Sequence, residues 1–135
     1  MPGRPSDDAV DLACRLAAER GARVIALSVV EVPLELPLDE PLEEAERLAD
    51  LELDEAVAVG DVYDVRVTPR LIRGRSASVE IVREAERRGT EIIVMGSPRK
   101  RLIEARRGVF GTTVDRVMRK APCRVMVTAA REEAA

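Results

Sequence analysis

Two short apolar runs, Arg23-Val-Ile-Ala-Leu-Ser-Val-Val-Glu31 and Ile92-Ile-Val-Met-Gly96, restrict this chain more than any other feature. Neither alternates apolar with polar residues, so neither suits a sheet with one wet face. Runs of this kind suit strands covered on both sides, as in a parallel sheet. Pro33 and Pro37 close the first run. Around both runs the pattern changes to helical spacing. Ala9, Leu12, Ala13, Leu16 and Ala17 share one face of a helix over residues 6–20, which Ser6 can cap and Gly21 stops.

Leu42, Ala45, Leu48, Ala49, Leu53, Ala56 and Val57 predict a second helix from Pro41 to Val59, with Gly60 as its stop. Val65 to Ile72 reads as an edge strand, because Pro69 cannot donate to a ladder. Arg73-Gly-Arg-Ser76 reads as a loop. A third helix follows from about Ser78 to Arg88, with Val79, Val82 and Ala85 inward and Gly89 after it. Beyond Gly96 comes a polar, basic loop over 97–111. Val114, Val117, Met118 and Ala121 then mark a helix stopped near Pro122, and Cys123 to Thr128 is the last strand. Strands alternating with helices imply parallel pairing through right-handed crossovers. The predicted fold class is therefore α/β, a doubly wound parallel sheet. At 135 residues this is one domain over 1–129, with 130–135 a frayed tail.

Apolar residues make up 46% of the chain and charged ones 35%, which separates it from disordered sequences. There is no histidine and no tryptophan, so histidine bases, Ser-His-Asp or Cys-His pairs and histidine zinc sites are excluded. Tyr63 and Phe110 are the only aromatic residues, too few and too distant for base stacking, and no nucleic-acid partner is expected. No run is long enough to span a membrane and no secretory signal opens the chain, so a cytoplasmic location without membrane insertion is expected. Cys14 and Cys123 lie in apolar patterns without redox spacing, and both read as buried free thiols. Charge is unevenly spread: five basic against seventeen acidic residues up to Val65, then seventeen against eight. The basic half could steer an anion to one end.

In open α/β sheets, ligands bind beyond the carboxyl ends of the strands, often with phosphate at a helix N-terminus. Gly96 ends a strand and Gly111-Thr112-Thr113 opens a helix, with Arg99, Lys100, Arg101, Arg106 and Arg107 between them. Free N–H groups and hydroxyls at Thr112 and Thr113 would cradle an anion. The same residues also fit a plain threonine cap beside a solvated loop. Neither a G-x-x-x-x-G-K-[ST] loop nor a G-x-G-x-x-G turn is present. Asp7, Asp8 and Asp11 suit a helix's first turn and Glu43, Glu44 and Glu46 an exposed face, so no paired-acid or metal site is expected, and the chain does not read as an enzyme.

From Glu91 onward the pattern, Ile92-Ile-Val-Met-Gly96-Ser, then Gly111-Thr112-Thr113-Val-Asp-Arg-Val-Met-Arg-Lys-Ala-Pro122-Cys123-Arg-Val-Met-Val, resembles the universal stress protein family. The resemblance reaches back to about Gly3. It implies a five-stranded parallel sheet in the order 3-2-1-4-5, a homodimer through the last strand, and a role in stress response. Some members bind ATP through a pattern resembling G-x2-G-x9-G-[ST]. Gly96 matches its first glycine and Gly111-Thr112 its last pair, while Arg99 stands in place of the second glycine. An arginine there must turn away from phosphate or supply charge to it.

The resemblance thus implies a regulatory domain binding ATP, with magnesium, or AMP. Adenine would sit near Val29 and Met95 and phosphates near Gly96, Gly111, Thr112 and Thr113, with Arg99 or Arg101 adding charge. The alternative is a non-nucleotide, dimeric interaction module, related to domains fused to amino-acid permeases and linked to transporter regulation. Met1 to Pro5 corresponds to the loop after the family's first strand, so the central strand is missing. Its natural start lies upstream, the neighbours close into a 3-2-4-5 sheet, or a partner chain supplies the strand.

Overall fold

The computed structural model describes residues 5–97 and 112–129. Its elements are α1 (Pro5–Arg20), β1 (Val24–Glu31), α2 (Glu43–Tyr63), β2 (Val67–Gly74), α3 (Ala77–Arg88), β3 (Ile92–Ser97), α4 (Thr112–Lys120) and β4 (Arg124–Ala129). This is the alternation that the periodicity predicts. The strands form two parallel pairs, β1 with β2 and β3 with β4, and β2 has no partner on its other side among the described residues. Pro69, which lacks a donor, is therefore on an edge, as expected. α1 packs with α2 and α3 with α4, one helical pair to each face.

β1 and β3 are not hydrogen-bonded to each other. The closed 3-2-4-5 arrangement is thereby ruled out, and the two strands instead face each other across an open slot. The expectation of full burial on both faces fails for the same reason. Residues 24–29 of β1 and 92–96 of β3 are half-buried throughout, although all but Ser28 and Gly96 carry apolar side chains. Helices cover their faces, but among the described residues each lacks a neighbour along one edge.

Several helix limits shift for identifiable causes. α1 begins at Pro5, whose fixed φ and missing N–H suit a first turn, and Ser6 is already helical. α2 runs through Gly60 to Tyr63 and stops at Asp64, which takes the left-handed conformation at φ 55. Its buried stripe is Ala49, Leu53, Ala56 and Gly60, leaving Leu48 exposed. In α3 the inward residues are Ser78, Glu84 and Ala85, and Val79 faces water. Arg73 and Gly74 extend β2 rather than beginning a loop.

The largest core cluster joins Cys14 and Ala17 of α1, Ala56 of α2, and Val65 and Val67 at the start of β2. These are small side chains, so the elements approach closely. Tyr63 closes the cluster's edge by donating its hydroxyl to Asp11 Oδ1 at 2.5 Å. Burial, then the neighbouring Asp11 carboxylate, raises the Cys14 thiol above its ordinary range. Cys123 is only half-buried, contrary to the expectation for it. Burial raises its thiol, while a hydrogen bond with the Ile93 backbone opposes the rise. A timed disulfide-exchange assay should therefore show Cys14 reacting more than about 100-fold slower in the native protein than after denaturation. Equal rates in both states would contradict the packing described.

Candidate functional site

The predicted ligand end begins where β1 and β3 finish. Val29 lies near the carboxyl end of β1, opposite Ile72, and Met95 and Gly96 lie at the end of β3, opposite Val127 and Thr128. Thr128 Oγ1 donates to the Met95 carbonyl at 3.5 Å, a long bond that steadies the strand end. Parallel pairing brings Met95, Gly96 and Thr128 together. Val29 stands on the other strand pair, across the slot.

α4 supplies the helix start. Thr112 is its first described residue and is exposed, and Thr113 is half-buried. Val114 and Val117 are buried and hold the helix against α3. The first turn leaves N–H groups without intrahelical acceptors. Those groups and the exposed Thr112 hydroxyl are suited to an anion, while Asp115 in the same turn also complements the helix dipole. Arg99, Arg101 and Gly111 lie outside the described residues. Gly96, Thr112 and Thr113 are the predicted phosphate residues whose placement is described.

Other charged groups near the strand ends are engaged structurally. The Glu31 carboxylate accepts from the Ala77 N–H at 2.8 Å, so the start of α3 already has an anion. Arg75 donates to the carbonyls of Pro33 at 2.5 Å and Leu36 at 2.7 Å. Arg73 donates to the Leu38 carbonyl at 2.9 Å and also binds the Glu40 carbonyl and Glu46. These two guanidiniums fasten the connection between β1 and α2. Sequence reasoning missed that role, because backbone acceptors far along the chain leave no local motif. Among the described residues no group of three or more acidic or cysteine side chains could hold a metal ion.

The slot between β1 and β3 opens a cavity of about 1360 Å³, which reaches Met95 and Gly96 at its upper end. Ala13, Leu16 and Ala17 of α1 line it, as do Leu53 and Ala56 of α2 and Ile81 of α3. At its lower end Arg20, just before β1, pairs with Glu91, just before β3, at 3.2 Å. The two strands thus start at the same end. The predicted missing strand hinted at this opening, but not at its walls. No described helix is long and apolar enough to cross a membrane.

The comparisons agree with this architecture. The chain is similar over 93% of its length to a universal stress family protein from Burkholderia pseudomallei, at 25% identity and TM-score 0.72, covering 88% of that protein. It is also similar to a universal stress protein from Archaeoglobus fulgidus in complex with dAMP. That match has 18% identity and TM-score 0.67, over 88% of this chain and 83% of that one. A universal stress protein in complex with cAMP matches at 18% identity and TM-score 0.66, over 92% and 86% respectively. No curated protein matches. The sequence model of the universal stress protein family matches residues 3–129. The chain belongs to the universal stress protein family.

Proposed function

We propose that this chain is a regulatory domain that binds an adenine nucleotide at the carboxyl ends of β1 and β3 and signals by occupancy, without turnover. The observation that carries this reading is the exposed start of α4, which follows a strand whose penultimate residue, Gly96, lines an open cavity. Gly96 offers phosphate a close backbone approach, and the N–H groups and hydroxyls of Thr112 and Thr113 offer it donors. Val29 and Met95 supply apolar surface for adenine. Arg99 or Arg101 adds positive charge, and magnesium accompanies ATP through the phosphates rather than through a protein cage. Two structurally similar proteins carry adenine nucleotides, dAMP and cAMP, which supports the choice of base.

Titration calorimetry with ATP plus magnesium, and separately with AMP, tests the proposal. Saturable heat is expected, with Thr112→Ala weakening ATP about tenfold through loss of a charge-assisted hydrogen bond. Heat from neither nucleotide would overturn it.

The proposed setting is cytoplasmic, in a stress response, as a homodimer. β4 has no strand on its outer side among the described residues, and Met126 there is 37% exposed, which favours edge pairing between copies. Sedimentation at increasing concentration should give a dimer. If the protein dimerises but binds neither nucleotide, the dimeric interaction module with a transporter-regulating role becomes the better account.

A further inference from the structure

Helix α2 carries a second ordered row of residues besides its buried one. Leu48, Leu51, Glu55, Ala58 and Val62 are all exposed and recur at alternating spacings of three and four. That spacing keeps them on one side of the helix, as at positions a and d of a heptad. Ala49, Leu53, Ala56 and Gly60 form the buried face, which packs on α1, β1 and β2, so the exposed row points away from the domain. Leu48 is 44% exposed, Leu51 46% and Val62 80%. A single surface leucine is ordinary, whereas large apolar side chains aligned in a row mark a contact surface.

Around this row the charge is nearly all of one sign. Between Glu43 and Tyr63 stand eight acidic residues and one basic residue, Arg47, which pairs with Glu44. Asp54 and Asp61 are exposed and flank the row, at the positions that border a heptad seam. Asp50 and Asp54, one turn apart, repel each other, so this charge pattern costs the isolated helix stability rather than adding to it.

We propose that this face of α2 docks a basic amphipathic helix of a partner protein. The partner's apolar stripe lies along Leu48, Leu51, Ala58 and Val62, and its lysines or arginines meet Asp54 and Asp61. The spacing selects a helix, because a row that repeats at three and four matches the same row on another helix. Charge selects the kind of helix. A second copy of α2 would set eight acidic residues against eight, and nucleic acid or an anionic membrane would be repelled in the same way. The row shares no residue with the proposed nucleotide site, so neither reading depends on the other.

The test uses the full chain and a fluorescently labelled three-heptad peptide with leucine at positions a and d and lysine at e and g, which repels its own copies. A scrambled peptide of the same composition is the control. Anisotropy should show the patterned peptide binding at least about tenfold tighter than the scrambled one, with NMR amide shifts concentrated at Leu48, Leu51, Ala58 and Val62. Leu48→Ser with Leu51→Ser should weaken the patterned peptide at least about tenfold, whereas Val79→Ser, at an exposed position on α3, leaves it unchanged. Asp54→Lys with Asp61→Lys should turn the preference toward the same peptide with glutamate at e and g. All five positions are exposed, and circular dichroism verifies that each variant keeps its helices. The charge-reversed pair decides the matter if the serine pair does not fold. Equal binding of patterned and scrambled peptides would reduce the effect to charge attraction and overturn the proposal. So would self-association at rising concentration that Leu48→Ser with Leu51→Ser removes, since a second copy would then be the occupant.

Discussion

Gly60→Val is expected to destabilise the domain by about 3 kcal/mol, through overpacking at the closest approach of α2 and β2. A Cβ built on Gly60 would lie 2.4 Å from Val67 Cγ2 and 2.8 Å from the Val65 carbonyl oxygen. The valine methyl could turn only at the expense of Ala56 and the other small residues in the same cluster. The carbonyl cannot yield independently, because residues 65–67 lead directly into β2. Helix propensity works the other way, since glycine inside a helix costs up to about 1 kcal/mol relative to alanine. Gly60→Ala should therefore lose about 1–2 kcal/mol, between wild type and the valine variant. Denaturant unfolding measures both. An unchanged or raised midpoint for the alanine variant would show that α2 and β2 are not held this close.

Glu84→Ala should cost about 2–3 kcal/mol, because it leaves three guanidiniums around an empty, largely buried position. The Glu84 side chain is 6% exposed, with Arg88 Nε at 2.7 Å and Arg87 Nη2 at 2.9 Å donating to it. Arg70 Nε is 2.6 Å from the same carboxylate, an ion contact whose angle does not make a hydrogen bond. The arginines are partly exposed and can regain water, which places the loss at the lower end for a broken buried pair. Burial by itself would raise the Glu84 carboxyl. The hydrogen bond from Arg88 and the charges of Arg70 and Arg87 outweigh it and hold the group below the usual carboxylate range. A carboxyl lowered in the folded state stabilises fully above its unfolded value, about 4.3, and loses that contribution as pH falls through the folded value. Wild type should accordingly lose more stability than Glu84→Gln on acidification from pH 6 toward pH 3. Parallel pH profiles for the two proteins would contradict this assignment.

The order of elements was legible because turn residues and apolar spacing are local signals. Gly21 and Gly89 do stand in left-handed positions after helices, at φ 65 and φ 60. Gly60 misled for a tertiary reason: its lack of a side chain serves contact with Val65 and Val67, not helix termination. Val79 misled because the period of α3 fits two faces, and the inner one is chosen by Glu84 binding Arg70 on β2. The apolar runs announced strands, but not that β1 and β3 would stand unpaired with each other among the described residues. That depends on what lies between them in space. At the candidate site, the glycine and threonine types were readable from the sequence. The role of Arg73 and Arg75 in holding the β1–α2 connection was not, since carbonyls 33–42 residues away supply the partners.

The folded domain is proposed to bind an adenine nucleotide, and a thermal melt with and without excess ATP and magnesium is the sharpest check of that proposal. A ligand that binds only the folded state raises stability by about 2.7 kcal/mol at 100 times its dissociation constant. For a domain of this size the gain corresponds to roughly 10 °C in Tm. An upward shift of this size is expected, reduced in Thr112→Ala at the same nucleotide concentration. A cooperative melt whose midpoint does not move at millimolar ATP would contradict it.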